Sequence, residues 1–416
     1  MAKQKLILNA DTIVPGLQSP CALKESAARC TRCNACVQSC PAYLQQPQEA
    51  FSPRGRAQLI KLLSNQKLKT DLSQELLTQI VHSCVLCARC SRTCAGQIPI
   101  AHHMLALRKA LGLHTLPYGL YILLYLQGAA PKLFDTTLRT LLFLHRIKLG
   151  FLCYPLLPKK TGSLQRLLRK NNLPISSDKP KALYLPSLYA QYIDPQAGLL
   201  AVEGLSAKKP TVLFNIDCGL FDYLYGSRTR CLQLAKHLLT TWEKYAGKHL
   251  LPFFTDSIEI YSFLKNYPML FQALPAWKER AEKFAKQVQF IVDMPFPVKK
   301  KNAPQKAALE TSSVLFPVTD VLERARKILL TTYGKNLLEF EYSRFPLPAA
   351  SVGFVYPSEA DSLVLRQVKD LTRQQIQRVY CLSAWAALEL NAVLRKCDPL
   401  AQARFIIYIR TDYGRI

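Results

Sequence analysis

From residue 180 to the C-terminus, short apolar runs alternate with longer amphipathic ones. The runs TVLFNI (211–216), LLPFF (250–254), VQFIVDM (288–294), SVGFVYP (351–357), RVYCLS (378–383) and RFIIYI (404–409) are rich in β-branched and aromatic residues and predict strands. Between them lie RCLQLAKHLLTTWEKY (230–245), ALPAWKERAEKFAKQV (273–288), VTDVLERARKILLTT (318–332), DSLVLRQVKDLTRQQI (361–376) and AWAALELNAVLRK (384–396). Their apolar residues recur at helical spacing. Strand and helix in alternation predict parallel sheets covered by helices. The order divides into about 205–335 and 345–416, which predicts two small α/β lobes from an old duplication, the second abbreviated.

Upstream the pattern is helical. GRAQLIKLLSN (55–65) places Leu59, Ile60, Leu62 and Leu63 at helical spacing, and LSQELLTQIVHS (72–83) puts Leu76, Leu77, Ile80 and Val81 on one face with Ser73 near the start. Residues 101–180 hold twelve Lys and Arg against two acids, Asp135 and Asp178, interleaved with large apolar groups. Two readings stay open for this stretch. Its helices lie in a membrane interface, or they pack on the N-terminal domain with their lysines reaching water. No apolar run approaches the ~18 residues of a membrane span. The N-terminal stretch lacks the apolar core of a signal peptide.

The net charge of +27, from 55 Lys and Arg against 28 Asp and Glu, favours an acidic partner, an anionic membrane surface or nucleic acid. No nucleic-acid recognition motif accompanies it, which disfavours nucleic acid as the partner. Fourteen cysteines without an export signal point to a cytoplasmic protein that uses them as metal ligands rather than disulfides.

Eight of those cysteines fall into two matched groups. Cys30, Cys33, Cys36 and Cys40 follow C-x2-C-x2-C-x3-C with Pro41 next, and Cys84, Cys87, Cys90 and Cys94 repeat it with Ala95 in the proline position. This is the bacterial ferredoxin run for a [4Fe–4S] cluster. Three thiolates on a tight loop reach three irons of one cube, and the fourth lies beyond the loop and points at the other. The spacing thus predicts crossed ligand sets: Cys30, Cys33, Cys36 and Cys94 for one cluster, and Cys84, Cys87, Cys90 and Cys40 for the other. Zinc sites more often use two C-x2-C pairs separated by a longer loop.

CTRCNACVQSCPAY, SPRGRAQLIK (52–61) and CVLCARCSRTCAGQIPI together resemble the iron–sulfur subunit of glycolate oxidase. Related families are the iron–sulfur subunits of lactate-utilisation and anaerobic glycerol-3-phosphate dehydrogenase systems and the cluster subunits of heterodisulfide reductase. The resemblance is specific over about residues 20–110. It implies an electron-transfer subunit with two [4Fe–4S] clusters. Its partners would be a flavoprotein dehydrogenase and a membrane quinone or another acceptor, at a peripheral membrane surface on the inner face of the cell membrane. It also carries the segment Arg54-Gly55-Arg56, whose plain reading is a helix entry held by basic residues. The family continues with two repeats bearing adjacent Cys-Cys pairs, and this chain has none. Cys218 stands where the first lone cysteine of those repeats would be, and Cys381 and Cys397 are isolated. A third metal site, and the disulfide chemistry that depends on it, are therefore not expected.

The expected fold is α+β. A helical two-cluster ferredoxin domain spans 1–110, a basic amphipathic helical linker 111–180, a first α/β lobe 181–340 and a shortened second lobe 341–416. The lobes show no dinucleotide fingerprint, Walker loop or nucleophile elbow. Asp217 and Cys218 end a predicted strand, where α/β sites tend to lie, but a lone cysteine there is more often packing. His102 and His103 follow the second run, where a packing or surface role outweighs a part in the electron path.

Overall fold

The computed structural model describes residues 25–64, 73–110, 118–146, 163–173, 180–206, 211–214, 216–247, 250–294, 303–310, 314–316, 318–338, 357–397 and 401–409. The first part is helical. α1 (Pro41–Gln45) follows the first cysteine run, α2 (Pro53–Ser64) and α3 (Gln74–His82) lie between the runs, α4 (Arg89–Arg92) sits inside the second, and α5 (Ile100–Ala110) leaves it. The spacing placed α2 and α3 correctly. Ser73 caps α3, its hydroxyl oxygen accepting from the Leu76 N–H at 3.1 Å. Leu59, Ile60, Leu77, Ile80 and Val81 are buried, whereas Leu62 and Leu76 are 38% and 39% exposed. The buried stripe is narrower than the run of apolar letters, because residues on the far side of each helix turn away from the core.

α6 (Tyr118–Ala129) and α7 (Pro131–Arg146) form the described part of the linker with a short helix at Leu164–Lys170. They pack on the first lobe. Phe134 and Leu142 bury against Tyr192, whose hydroxyl donates to Asp135 at 2.8 Å. The Arg230 guanidinium lies 3.5 Å from the Tyr125 ring centre. Leu133 and Phe143 point outward. Among the described residues no helix is long and apolar enough to cross a membrane.

Two parallel four-stranded sheets follow. The first contains β1 (Ala182–Leu185), β2 (Thr211–Leu213), β3 (Phe253–Thr255) and β4 (Val288–Phe290) in the order β2-β1-β3-β4. The second contains β5 (Ala307–Glu310), β6 (Leu337–Leu338), β7 (Arg378–Cys381) and β8 (Gln402–Phe405) in the order β6-β5-β7-β8. Counted along the chain, each sheet runs second, first, third, fourth, so one topology occurs twice.

The apolar pattern did not mark β1, β5 or β6. β5 reads AALE, and alanine and glutamate are poor strand formers. Its pairing with β6 and β7 makes it a strand, and all four of its residues are buried. β5 and β6 therefore belong to the second sheet, and the change of sheet falls between β4 and β5, ahead of the expected division at 340. Among the described residues the two sheets have four strands each. The five expected strands that form are all shorter than their apolar runs. β2 ends at Leu213, β4 passes into a 3-10 turn at Ile291–Asp293, and β8 passes into one at Ile406–Tyr408. The run at 351–357 lies outside the described residues except for Pro357, which opens the helix Pro357–Arg373.

One hydrophobic core extends from the N-terminal helices through both sheets, with Leu105, Tyr184 and Phe405 all members of it. The cysteine-bearing part is thereby seated on the lobes rather than hung from them.

Candidate metal centre

The two cysteine loops share one backbone conformation. Arg32 and Asn34 have φ of 61° and 68°, and Leu86 and Ala88 each have φ of 52°. These are the second and fourth residues after Cys30 and after Cys84. A non-glycine residue in this left-handed region costs about 1–3 kcal/mol. Four at matched positions mean that something the loops do outweighs the strain. The turn brings N–H groups onto sulfur. The Ala35 N–H lowers the exposed Cys33 thiol, and the Arg89 N–H acts in the same sense on Cys87, again at matched positions.

The fourth cysteines cross over. Cys30, Cys33, Cys36 and Cys94 all line one cavity of about 490 Å³, partly continuous with solvent. Burial pushes the Cys36 thiol up to about 11, with Cys30, Cys94 and Cys33 adding to it. Cys40, Cys84, Cys87 and Cys90 are all buried. Burial pushes Cys87 up to about 11 and Cys90 well above its usual range, and the neighbouring charges that reinforce Cys90 are Cys87, Cys84 and Cys40. Cys90 also lines the first cavity, so the two groups adjoin. The segments that carry the crossing cysteines touch, with Ser39 Oγ 3.4 Å from Thr93 Oγ1. Cys40 stands at the N-cap of α1, ahead of Pro41. Cys94 lies in a turn closed by the Gln97 N–H at 2.9 Å, and α5 begins only at Ile100. With Ala95 in the proline position, the helix after the second run starts at Ile100, whereas α1 starts at Pro41 directly after Cys40.

This donor set fits [4Fe–4S] clusters. Eight thiols stand in two groups of four on loops with inward N–H groups. Among the described residues no three His, Cys, Asp or Glu side chains converge on a single-ion position. Burial holds the raised Cys87 and Cys90 thiols protonated until a metal displaces their protons, so loading releases protons and weakens as pH falls.

α2 braces both groups, and this explains the Arg54-Gly55-Arg56 segment. Ser52 Oγ accepts from the Gly55 N–H at 2.8 Å and starts the helix. Arg54 pairs with Glu49 at 2.6 Å and donates to Asn34 Oδ1 in the first loop. Arg32 of that loop donates to Gln58 at 3.2 Å. Arg56, on the opposite face, is buried against the second group, with Nη1 3.7 Å from Cys40 Sγ and Nη2 2.8 Å from Ser83 Oγ. Arg108 from α5 donates to the carbonyls of Val81, His82 and Cys84 and closes the C-terminal end of α3 beside that group. The sequence reading had Arg56 only as part of a basic helix entry and did not single out Arg108, since only the fold turns both inward.

The other candidates stay outside the site. His102 packs its ring 5.2 Å from Phe316, and burial holds it neutral, down to about 4. His103 is fully buried and lowered to about 3, by burial first and then by His102 and Arg29. β2 ends before Asp217, whose Oδ1 accepts from the Gly219 N–H at 2.8 Å. Cys218, Cys231 and Cys381 are buried, and burial pushes each thiol up, Cys231 to about 12. Reactive cysteines are exposed and lowered, so these three have the character of packing residues.

Residues 26–98 match the 4Fe-4S dicluster domain family. Over 107 residues the chain is 31% identical to "Lactate utilization protein A" of an Exiguobacterium species, a match covering 24% of this chain and 42% of that protein. The chain therefore spans less than half the length of this curated relative. No solved structure matches. The stretch that folds into two strained cysteine loops braced by one helix is thus an iron–sulfur domain of the 4Fe-4S dicluster kind, similar in sequence to a lactate-utilisation protein.

Proposed function

We propose that the chain is the electron-transfer subunit of a flavin-linked dehydrogenase system and holds two [4Fe–4S] clusters. One would be held by Cys30, Cys33, Cys36 and Cys94, and the other by Cys84, Cys87, Cys90 and Cys40. The observation that carries this reading is the crossing of the two fourth cysteines, each gathered with the other run's three. Such clusters supply one-electron transfer at potentials set by their surroundings. The chain's own residues hold the thiolates, donate N–H groups to sulfur and keep the second group dry. The exposed Cys33 puts the first group at the surface, where a redox partner can approach.

The donor is a flavoprotein oxidising glycolate, lactate or glycerol 3-phosphate. The resemblance around both cysteine runs and the lactate-utilisation relative support this class. A membrane quinone as acceptor fits the outward Leu133 and Phe143 on α7 within a basic stretch, which suits an anionic membrane surface. The buried, neutral thiols of the lobes weigh against a separate reductive site there.

Anaerobic mixing with a flavoprotein of each kind tests the donor. Substrate should bleach the iron–sulfur absorbance only when the right flavoprotein is present, and the chain alone should show no dehydrogenase activity. Unchanged absorbance with all three flavoproteins and their substrates overturns this part of the reading.

A further inference from the structure

The two groups of cysteines stand in opposite electrostatic settings. Around the first, Cys33 is exposed, and the nearby Arg54 is already paired with Glu49. Around the second, all four thiols are buried and a guanidinium is buried with them. Arg56 is 1% exposed. Arginine keeps its proton in proteins, so the fold carries a full positive charge into its interior. That costs several kcal/mol unless an anion answers it.

Among the described residues no carboxylate does, and Arg56 makes no ion pair. Its three hydrogen bonds go to Cys40 Sγ at 3.7 Å, Ser83 Oγ at 2.8 Å and the Ile80 carbonyl at 3.4 Å. The charges that bear on it are those of Cys84, Cys40 and Cys90. Ser83 in turn donates to the Ile80 carbonyl at 2.9 Å, which fixes the far side of the guanidinium. The cation is therefore held rigidly against a site whose natural anions are cysteine thiolates.

We propose that Arg56 is a built-in counter-charge that raises the reduction potential of the cluster held by Cys40, Cys84, Cys87 and Cys90, making the more deeply buried of the two sites the easier one to reduce. The proposal rests on the two-cluster reading above. Reduction adds one negative charge. Burial by itself opposes that added charge, since desolvation disfavours it, and would make the buried site the harder to reduce. A fixed cation in a low-dielectric interior acts the other way, and it acts more strongly than the exposed, screened arginines of the first site can. Arg56 is a positioning residue. It touches a ligand sulfur, and its effect is on potential.

The test is an EPR-monitored redox titration of the full chain and of Arg56→Gln and Arg56→Lys, with iron and acid-labile sulfide measured on each. Arg56→Gln should keep its iron and shift one of the two couples toward the oxidised form by at least tenfold, about 59 mV for one electron, while the other couple stays within about twofold. Full iron with neither couple moved, or with both moved equally, overturns the proposal. If Arg56→Gln loses iron, Arg56→Lys decides. Full iron with couples within about threefold of the parent supports a role for charge. Loss of iron, or a tenfold shift despite the retained charge, assigns Arg56 to packing and overturns the proposal. A parent chain that binds a single cluster shows instead that the two-cluster reading has failed, whatever the variants do.

Discussion

Cys33→Ala combined with Cys94→Ala should cost no more iron than Cys33→Ala alone, about four atoms per chain for a complete cube. Cys33→Ala combined with Cys40→Ala should cost about twice as much. The first pair lies in different runs but lines one cavity, while the second pair lies in one run but belongs to different groups. Ligands of one cluster fail together, because losing the first already releases the cube, whereas ligands of separate clusters add. Iron and sulfide per chain on anaerobically purified variants give the answer directly. If the Cys33 and Cys40 pair costs only as much as Cys33 alone, each run holds its own cluster and the crossing in the fold has no counterpart in ligation.

Gly55→Ala should be the most damaging single change outside the cysteines. A methyl group there would overlap the Glu49 carbonyl oxygen and stand 2.8 Å from its carbon. Both are backbone atoms and cannot swing aside, so α2 or the turn before it must move. Overpacking of this kind costs about 1–3 kcal/mol. Here the displacement also carries Arg54 off Asn34 and Arg56 off Cys40, so it disturbs both cysteine groups at once. The expected result is a lower denaturation midpoint together with iron content reduced by more than half. Unchanged iron and an unchanged midpoint would mean that α2 does not brace the loops.

The candidate site was legible in the sequence to the extent that its chemistry is local. The spacing of eight cysteines encodes the loop that presents them, and that loop recurs with left-handed residues at the same two offsets in both runs. The amphipathic spacing of α2 and α3 was legible for the same reason. Arg56 was not. Nothing in a run of letters says that a guanidinium five residues after Phe51 faces inward, and only the packing of α2 against Cys40 and Ser83 makes it so. The strands follow the same rule. β3 and β7 stand among runs dense in aromatic or β-branched residues, while β5 is a strand because two neighbours pair with it. Its residues would suit a helix equally well. Because β5, the first strand of the second sheet, carries no such signal, the expected division between the lobes fell too late and the C-terminal lobe was expected to be short. The partner of α7 was hidden likewise, since Phe134 and Leu142 announce a buried face and leave open what covers it.

The most direct measurement is iron and acid-labile sulfide per chain on the anaerobically purified parent protein, with EPR of the reduced sample. About eight irons, eight sulfides and a signal from two interacting clusters are the expected result. About four irons, or zinc in place of iron with no sulfide, would contradict the assignment of two [4Fe–4S] clusters to these eight cysteines.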